Sequence, residues 1–131
     1  METKVKILGA GSIGNHLAYA CRQLDWNVTL CDIDAKALKR TREEIFPGRY
    51  GSWDPAIHLA QPTEVSDEVF SVIIIGTPPD NHIDLALDCL AKTPPQVLLI
   101  EKPLCPPSLK DCERLTQIAR KAGTRVLVGY N

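Results

Sequence analysis

Ser71-Val72-Ile73-Ile74-Ile75 is almost uniformly apolar and largely β-branched, and Val97-Leu98-Leu99-Ile100 is as apolar. A strand with two apolar faces must be covered on both, as in parallel sheets flanked by helices. Val5-Lys6-Ile7-Leu8, Val28-Thr29-Leu30-Cys31 and Arg125 to Gly129 read as further strands. Between them the apolar period changes to that of helices. From Ser12 a helical stripe of Ile13, Leu17, Ala20/Cys21 and Leu24 is expected to face inward. A second helix runs from about Asp34 to Ile45 with Leu38, Thr41 and Ile45 inward, stopped by Phe46-Pro47-Gly48. A third runs from about Pro79 to Lys92, burying Ile83, Ala86/Leu87 and Leu90. A fourth spans Ser108 to Ala122, with Leu109, Cys112, Leu115 and Ala119 inward and Gly123 ending it.

Phe46 to Phe70 is the ambiguous stretch. Asp54-Pro55 has the residues of a helix start, and Ile57 to Ala60 also fits a short strand. The reading adopted is a short third strand near Tyr50 to Trp53, followed by a helical turn. Strand–helix alternation then predicts an α/β fold: a doubly wound, mostly parallel sheet with helices on both faces. With 131 residues the chain has the length of one domain.

Composition narrows the functional classes. Fifteen basic and sixteen acidic residues give a net charge of −1, which argues against nucleic acid as a partner. The apolar runs are far shorter than the ~20 residues of a membrane span, so no membrane partner is expected. Five cysteines, an odd count with no CxxC and no Cys/His cluster, argue against a disulfide framework and a zinc site, so no metal is assigned. They read as small buried residues in a reducing cytoplasm.

In doubly wound sheets, ligands bind beyond the carboxyl ends of the strands. Gly9-Ala10-Gly11-Ser12-Ile13-Gly14 lies there as G-x-G-x-x-G, after a strand and opening a helix. Gly9 suits the tight turn, Gly11 lets the backbone approach a pyrophosphate, and Gly14 permits close helix–strand packing. Ser12 and Ile13 complete the helix N-terminus that would meet the phosphate charge. Asp32 follows Gly14 by 18 positions, close to the ~20 at which an acidic residue accepts from the ribose hydroxyls. Its neighbour is Ile33 rather than arginine, so NAD is favoured over NADP.

Three further segments sit at strand ends: Gly76-Thr77-Pro78-Pro79-Asp80-Asn81-His82, Glu101-Lys102-Pro103-Leu104, and Gly129-Tyr130-Asn131. With the glycine turn, they give a chain that resembles the Gfo/Idh/MocA oxidoreductases from Val5 to Asn131, least well over Phe46 to Phe70. The resemblance implies that Thr77, Pro78 and His82 lie beside the cofactor's ribose and pyrophosphate. It implies that Glu101, Lys102 and Pro103 form the family's E-K-P element, with Lys102 catalytic near the nicotinamide and a cis bond to Pro103. Gly129, Tyr130 and Asn131 then mark the junction with a second domain.

Family members transfer hydride between nicotinamide and a sugar or cyclitol. Residues 1–131 are therefore expected to be the dinucleotide-binding domain, with the substrate domain absent and a homo-oligomer as a possible partner state. Glu101 reads as structural, Trp53 as packing with an adenine cover as its alternative, and His16 and His58 receive no role. A regulatory NAD-sensing module without catalysis is the alternative function. That class has no need for Lys102-Pro103 or for the Gly129-Tyr130-Asn131 end. A methyltransferase, a third class, fits the dinucleotide pattern less well.

Overall fold

A computed structural model of the chain describes residues 2–105 and 107–129. Six strands form one parallel sheet in the order β3-β2-β1-β4-β5-β6. They are β1 (Lys4–Leu8), β2 (Asn27–Cys31), β3 (His58–Ala60), β4 (Val72–Ile75), β5 (Val97–Ile100) and β6 (Arg125–Val128). The order reverses direction between β1 and β4, which makes that junction the switch point. The helices are α1 (Ser12–Gln23), α2 (Ala35–Arg40), α3 (Phe46–Tyr50), α4 (His82–Lys92) and α5 (Cys112–Ala122). Among the described residues, no helix is long and apolar enough to cross a membrane.

Alternation along the strands sorts the core into two layers. Val5, Ile7, Val28, Leu30 and Ile74 face one side, packed with Ala18, Cys21, Ala37 and Phe46. Leu8, Cys31, Ile73, Ile75, Leu98 and Ile100 face the other, packed with Ile83, Ala86, Leu90, Leu115 and Ala119. Leu98 and Ile100 are fully buried, and truncating either to alanine removes about 2–5 kcal/mol. Lys6 shares the second layer, with its ammonium 5.2 Å from the centre of the Phe70 ring.

The sequence reading is corrected in four places. The second helix does not stop at Phe46-Pro47-Gly48. A π turn over Thr41–Ile45 leads into α3, and Gly51 ends it with φ +91°. The wider turn accommodates Pro47, which has no N–H for an ordinary helical bond. Tyr50 to Trp53 is not a strand. Asp54 instead closes a turn by accepting from Ala56 N–H at 3.0 Å, and the strand follows at His58–Ala60. The aromatic residues pack as a cluster: Tyr19 stacks on Tyr50 at 3.8 Å, and Phe46 meets Trp53 edge-on at 5.1 Å.

The inward face of α1 is also turned from the expected one. Gly14, Asn15, Ala18 and Cys21 are buried, whereas Ile13 and Leu24 are exposed. A Cβ on Gly14 would collide with the Gly9 carbonyl, so the helix approaches β1 through its small residues. Finally, α5 begins at Cys112 rather than Ser108, and Leu109 is exposed. Leu109 and Asp111 both adopt positive φ, +55° and +63°, which helical residues cannot do.

Candidate functional site

Strand register carries five residues to one edge. Leu8 pairs with Cys31 and with Ile75, Ile75 with Ile100, and Ile100 with Val128. The residues that follow, Asp32, Gly9, Gly76, Glu101 and Gly129, therefore form one row along the carboxyl ends. The ladder continues into this row: Gly9 N–H donates to Cys31 O and Gly76 N–H to Leu8 O, both at 2.8 Å. Glu101 N–H donates to Ile75 O at 2.9 Å and Gly129 N–H to Ile100 O at 2.8 Å. Each expected element is thus anchored before its side chain leaves the sheet.

The three glycines of the turn do different work. Gly9 has φ +108°, and a Cβ there would lie 3.0 Å from the Gly76 carbonyl. Gly14 packs directly on Gly9. Gly11 has neither restriction: φ is −84° and no atom lies within 4 Å of a Cβ built on it. No packing contact therefore requires a glycine there, and the space above it is open to an outside ligand. Gly11 is also the N-cap of α1 and has no side chain to satisfy the first helical N–H groups. Those of Ser12, Ile13 and Gly14 have no intrahelical acceptor and are available to an anion.

Asp32 closes the turn from the neighbouring strand. Its Oδ2 accepts from Ala10 N–H at 2.9 Å and its Oδ1 from Asp34 N–H at 2.8 Å. Capping of α2 falls to Asp34, which accepts from Lys36 N–H at 2.9 Å. Each Asp32 oxygen keeps a lone pair for a further donor. Ile33 beside it is 84% exposed.

Two residues of this site were missed in the sequence. Asn15 is fully buried, and its Nδ2 donates to Ala10 O at 2.9 Å and Gly11 O at 2.7 Å, which fixes the turn from below. It lies off the expected apolar stripe of Ile13, Leu17, Ala20/Cys21 and Leu24, so periodicity gives no signal for it. Arg49 reaches across from α3, with Nη2 3.2 Å from Ser12 Oγ and Nη1 3.4 Å from Ser12 O. Phe46-Pro47-Gly48 signals a helix end ahead of Arg49, so the sequence does not point to it.

On the other side of the switch point, Thr77 Oγ1 donates to Asn81 Oδ1 at 2.8 Å, and Pro78 is exposed. His82 is the first residue of α4 and is 1% exposed. Its Nε2 lies 2.6 Å from Thr77 O and its Nδ1 2.9 Å from Pro103 O. The neutral ring donates to one of these carbonyls and the doubly protonated ring to both. Neither ring nitrogen is left for a ligand. His82 instead ties the loop after β4 to the loop after β5.

The Glu101 carboxylate packs against Gly129, where an added Cβ would lie 3.1 Å from Oε1. Lys102 is exposed, its bond to Pro103 is cis, and no carboxylate pairs with it among the described residues. Tyr130 and Asn131 lie outside the described residues. No group of metal-ligating side chains occurs among the described residues.

The comparisons agree with this geometry. Residues 3–130 match the oxidoreductase family described by its NAD-binding Rossmann fold. No curated protein sequence gives a match. The fold is shared with UDP-N-acetylglucosamine 3-dehydrogenase from Acidithiobacillus ferrooxidans (TM-score 0.75, 17% identity, covering 98% of this chain and 37% of that one). It is shared with myo-inositol 2-dehydrogenase from Lactobacillus plantarum (0.71, 16%, 98% and 36%). Biliverdin reductase from Synechocystis, solved with biliverdin and NADP+, is similar too (0.70, 19%, 96% and 37%). The chain spans about a third of the length of these structures. A family match running nearly end to end, over a sheet of this strand order, shows that the chain belongs to the Gfo/Idh/MocA oxidoreductase family as an NAD-binding Rossmann domain.

Proposed function

We propose that residues 1–131 form the nucleotide-binding domain of a cytoplasmic oxidoreductase that prefers NAD(H) to NADP(H) and acts on a sugar or cyclitol held by a second domain. The observation that carries the cofactor reading is Asp32, whose carboxylate is fastened to the glycine turn by Ala10 N–H. A fixed negative charge there accepts from ribose hydroxyls and repels a 2′-phosphate, and exposed Ile33 supplies no compensating cation. The unfilled space over Gly11 and the free N–H groups of α1 suit a pyrophosphate. Two of the similar structures are named for a sugar nucleotide and a cyclitol, which supports the substrate class.

NAD supplies the hydride acceptor or donor. The chain's own residues bind and orient. Ser12, Ile13 and Gly14 present N–H groups to the pyrophosphate, and Arg49 adds a cation beside them. Thr77 and Pro78 border the cofactor, and His82 holds their loop against Pro103. Glu101 braces Gly129 at the end of β6. When a carbonyl is reduced, the Lys102 ammonium donates a hydrogen bond to the developing alkoxide and then its proton; when a hydroxyl is oxidised, the neutral Lys102 amine takes that proton.

Joined to its substrate domain, Lys102→Ala lowers kcat by about 10² to 10⁴ and leaves NADH affinity unchanged. Lys102→Arg does not restore the rate, because a guanidinium does not give up its proton. Near-normal kcat in a folded Lys102→Ala enzyme refutes this assignment.

A further inference from the structure

The cysteines give no disulfide framework, yet two of them meet. Cys105 Sγ and Cys112 Sγ are 2.9 Å apart, both as free thiols. A disulfide bond is about 2.05 Å long, so closing it requires less than 1 Å of travel. No other thiol pair lies within hydrogen-bond reach among the described residues. Between the two, Leu109 and Asp111 adopt the left-handed backbone, with φ +55° and +63°, which residues with side chains disfavour. Cys105 thereby meets the first residue of α5.

Access to the two sulfurs differs. Cys105 is 8% exposed. Cys112 is half-buried and lines an apolar groove of about 430 Å³ between α5 and β6, with Leu115, Ala119, Val126 and Val128. The groove gives a small reagent a route to one sulfur while the other waits behind it.

We propose that Cys105 and Cys112 form a dithiol modification site, which low-molecular-weight disulfides oxidise to an intramolecular disulfide that ties the strap after Lys102-Pro103 to α5. The Cys112 thiolate attacks one sulfur of the incoming disulfide and expels one thiolate, which takes a proton from water. The Cys105 thiolate then attacks Cys112 Sγ and expels the second. Two protein thiols are oxidised and one small disulfide is reduced to two thiols, so the exchange balances without a further oxidant. The hydrogen bond shared with Cys105, ahead of burial and the Cys105 and Asp111 charges, pushes the Cys112 thiol up to about 11. Exchange therefore quickens as pH rises, and the incubation belongs on the alkaline side of neutrality.

The probe is oxidised glutathione added to the folded chain, followed by thiol counting and peptide mapping. Two of the five thiols disappear, and the map contains one cross-link, Cys105 to Cys112. Cys105→Ser, lacking the resolving sulfur, accumulates glutathione on Cys112 instead. A second probe needs no oxidation: phenylarsine oxide binds the wild type one-to-one and fails to bind either single serine variant. Survival of all five thiols in the folded wild type, a cross-link between other cysteines, or arsenical binding that persists in both variants overturns the proposal. The wild-type map decides the matter even where a serine variant does not fold.

Discussion

Gly11→Val separates a glycine kept for a ligand from glycines kept for the fold. A valine Cβ at position 11 meets no atom within 4 Å, and the backbone there, φ −84° and ψ −165°, is extended and open to β-branched residues. The substitution also removes chain freedom from the unfolded state, which is worth about 0.4–1 kcal/mol in favour of folding. Valine is a poorer N-cap than glycine by a similar amount, about 1 kcal/mol, so the two effects offset and stability should change little.

Gly9→Ala behaves differently. At φ +108° a side chain is strained by about 1–2 kcal/mol, before the displacement of Gly76 is counted. Gly14→Ala forces α1 off Gly9, and overpacking of this kind costs about 1–3 kcal/mol or more. Urea unfolding of the three variants reads the stabilities, and NADH fluorescence titration reads the affinity. The two valine methyl groups occupy the space that the pyrophosphate needs, so Gly11→Val should weaken NADH by at least tenfold, about 1.4 kcal/mol. Wild-type NADH affinity in folded Gly11→Val would refute the argument that the open space serves the cofactor.

Other perturbations follow from the same site. Asp32→Ser with Ile33→Arg should move the NADPH-to-NADH affinity ratio toward NADPH by tenfold or more, measured by paired titrations; an unchanged ratio removes Asp32 from cofactor choice. Arg49→Ala should weaken NADH about fivefold, near 1 kcal/mol for an exposed charged contact, with less dependence on salt, whereas equal affinity at low salt would make Arg49 a helix-surface residue. Burial pushes the Cys31 thiol from 9.0 up to about 12, with the Lys6 ammonium pulling the other way. Its folded value lies above the unfolded one, so this stabilisation is complete below about pH 9 and is lost as pH rises toward 12. Between those limits it contributes a slope of about 1.4 kcal/mol per pH unit. Cys31→Ala should flatten the alkaline limb of the unfolding curve by one proton, and an unchanged slope would contradict the burial argument.

Much of the sheet was legible because its signals are local. Val72–Ile75 and Val97–Ile100 are apolar on both faces, and the glycine turn declares itself by spacing. The row of strand ends follows once the strands are parallel. What was not legible depends on close approach in three dimensions. The inward face of α1 is set by Gly14 against the Gly9 carbonyl, a contact between backbones that hydrophobic periodicity does not register. The path through Phe46-Pro47-Gly48 depends on a π turn that absorbs the proline, and with it went Arg49. For His82 the resemblance implies a place beside the cofactor, while its two partners are backbone carbonyls in separate loops, which side-chain patterns do not reveal. The approach of Cys105 to Cys112 was likewise not legible, because Leu109 and Asp111 take positive φ where the sequence reads as a helix from Ser108.

The central claim is that this domain binds a dinucleotide with the selectivity that Asp32 confers. Equilibrium titration of the purified chain with NADH, NADPH and S-adenosylmethionine under one set of buffer and salt conditions tests it most directly. The account predicts saturable binding of NADH, NADPH weaker by tenfold or more, and no binding of S-adenosylmethionine. NADPH binding tenfold tighter than NADH, about 1.4 kcal/mol in the opposite direction, would contradict it.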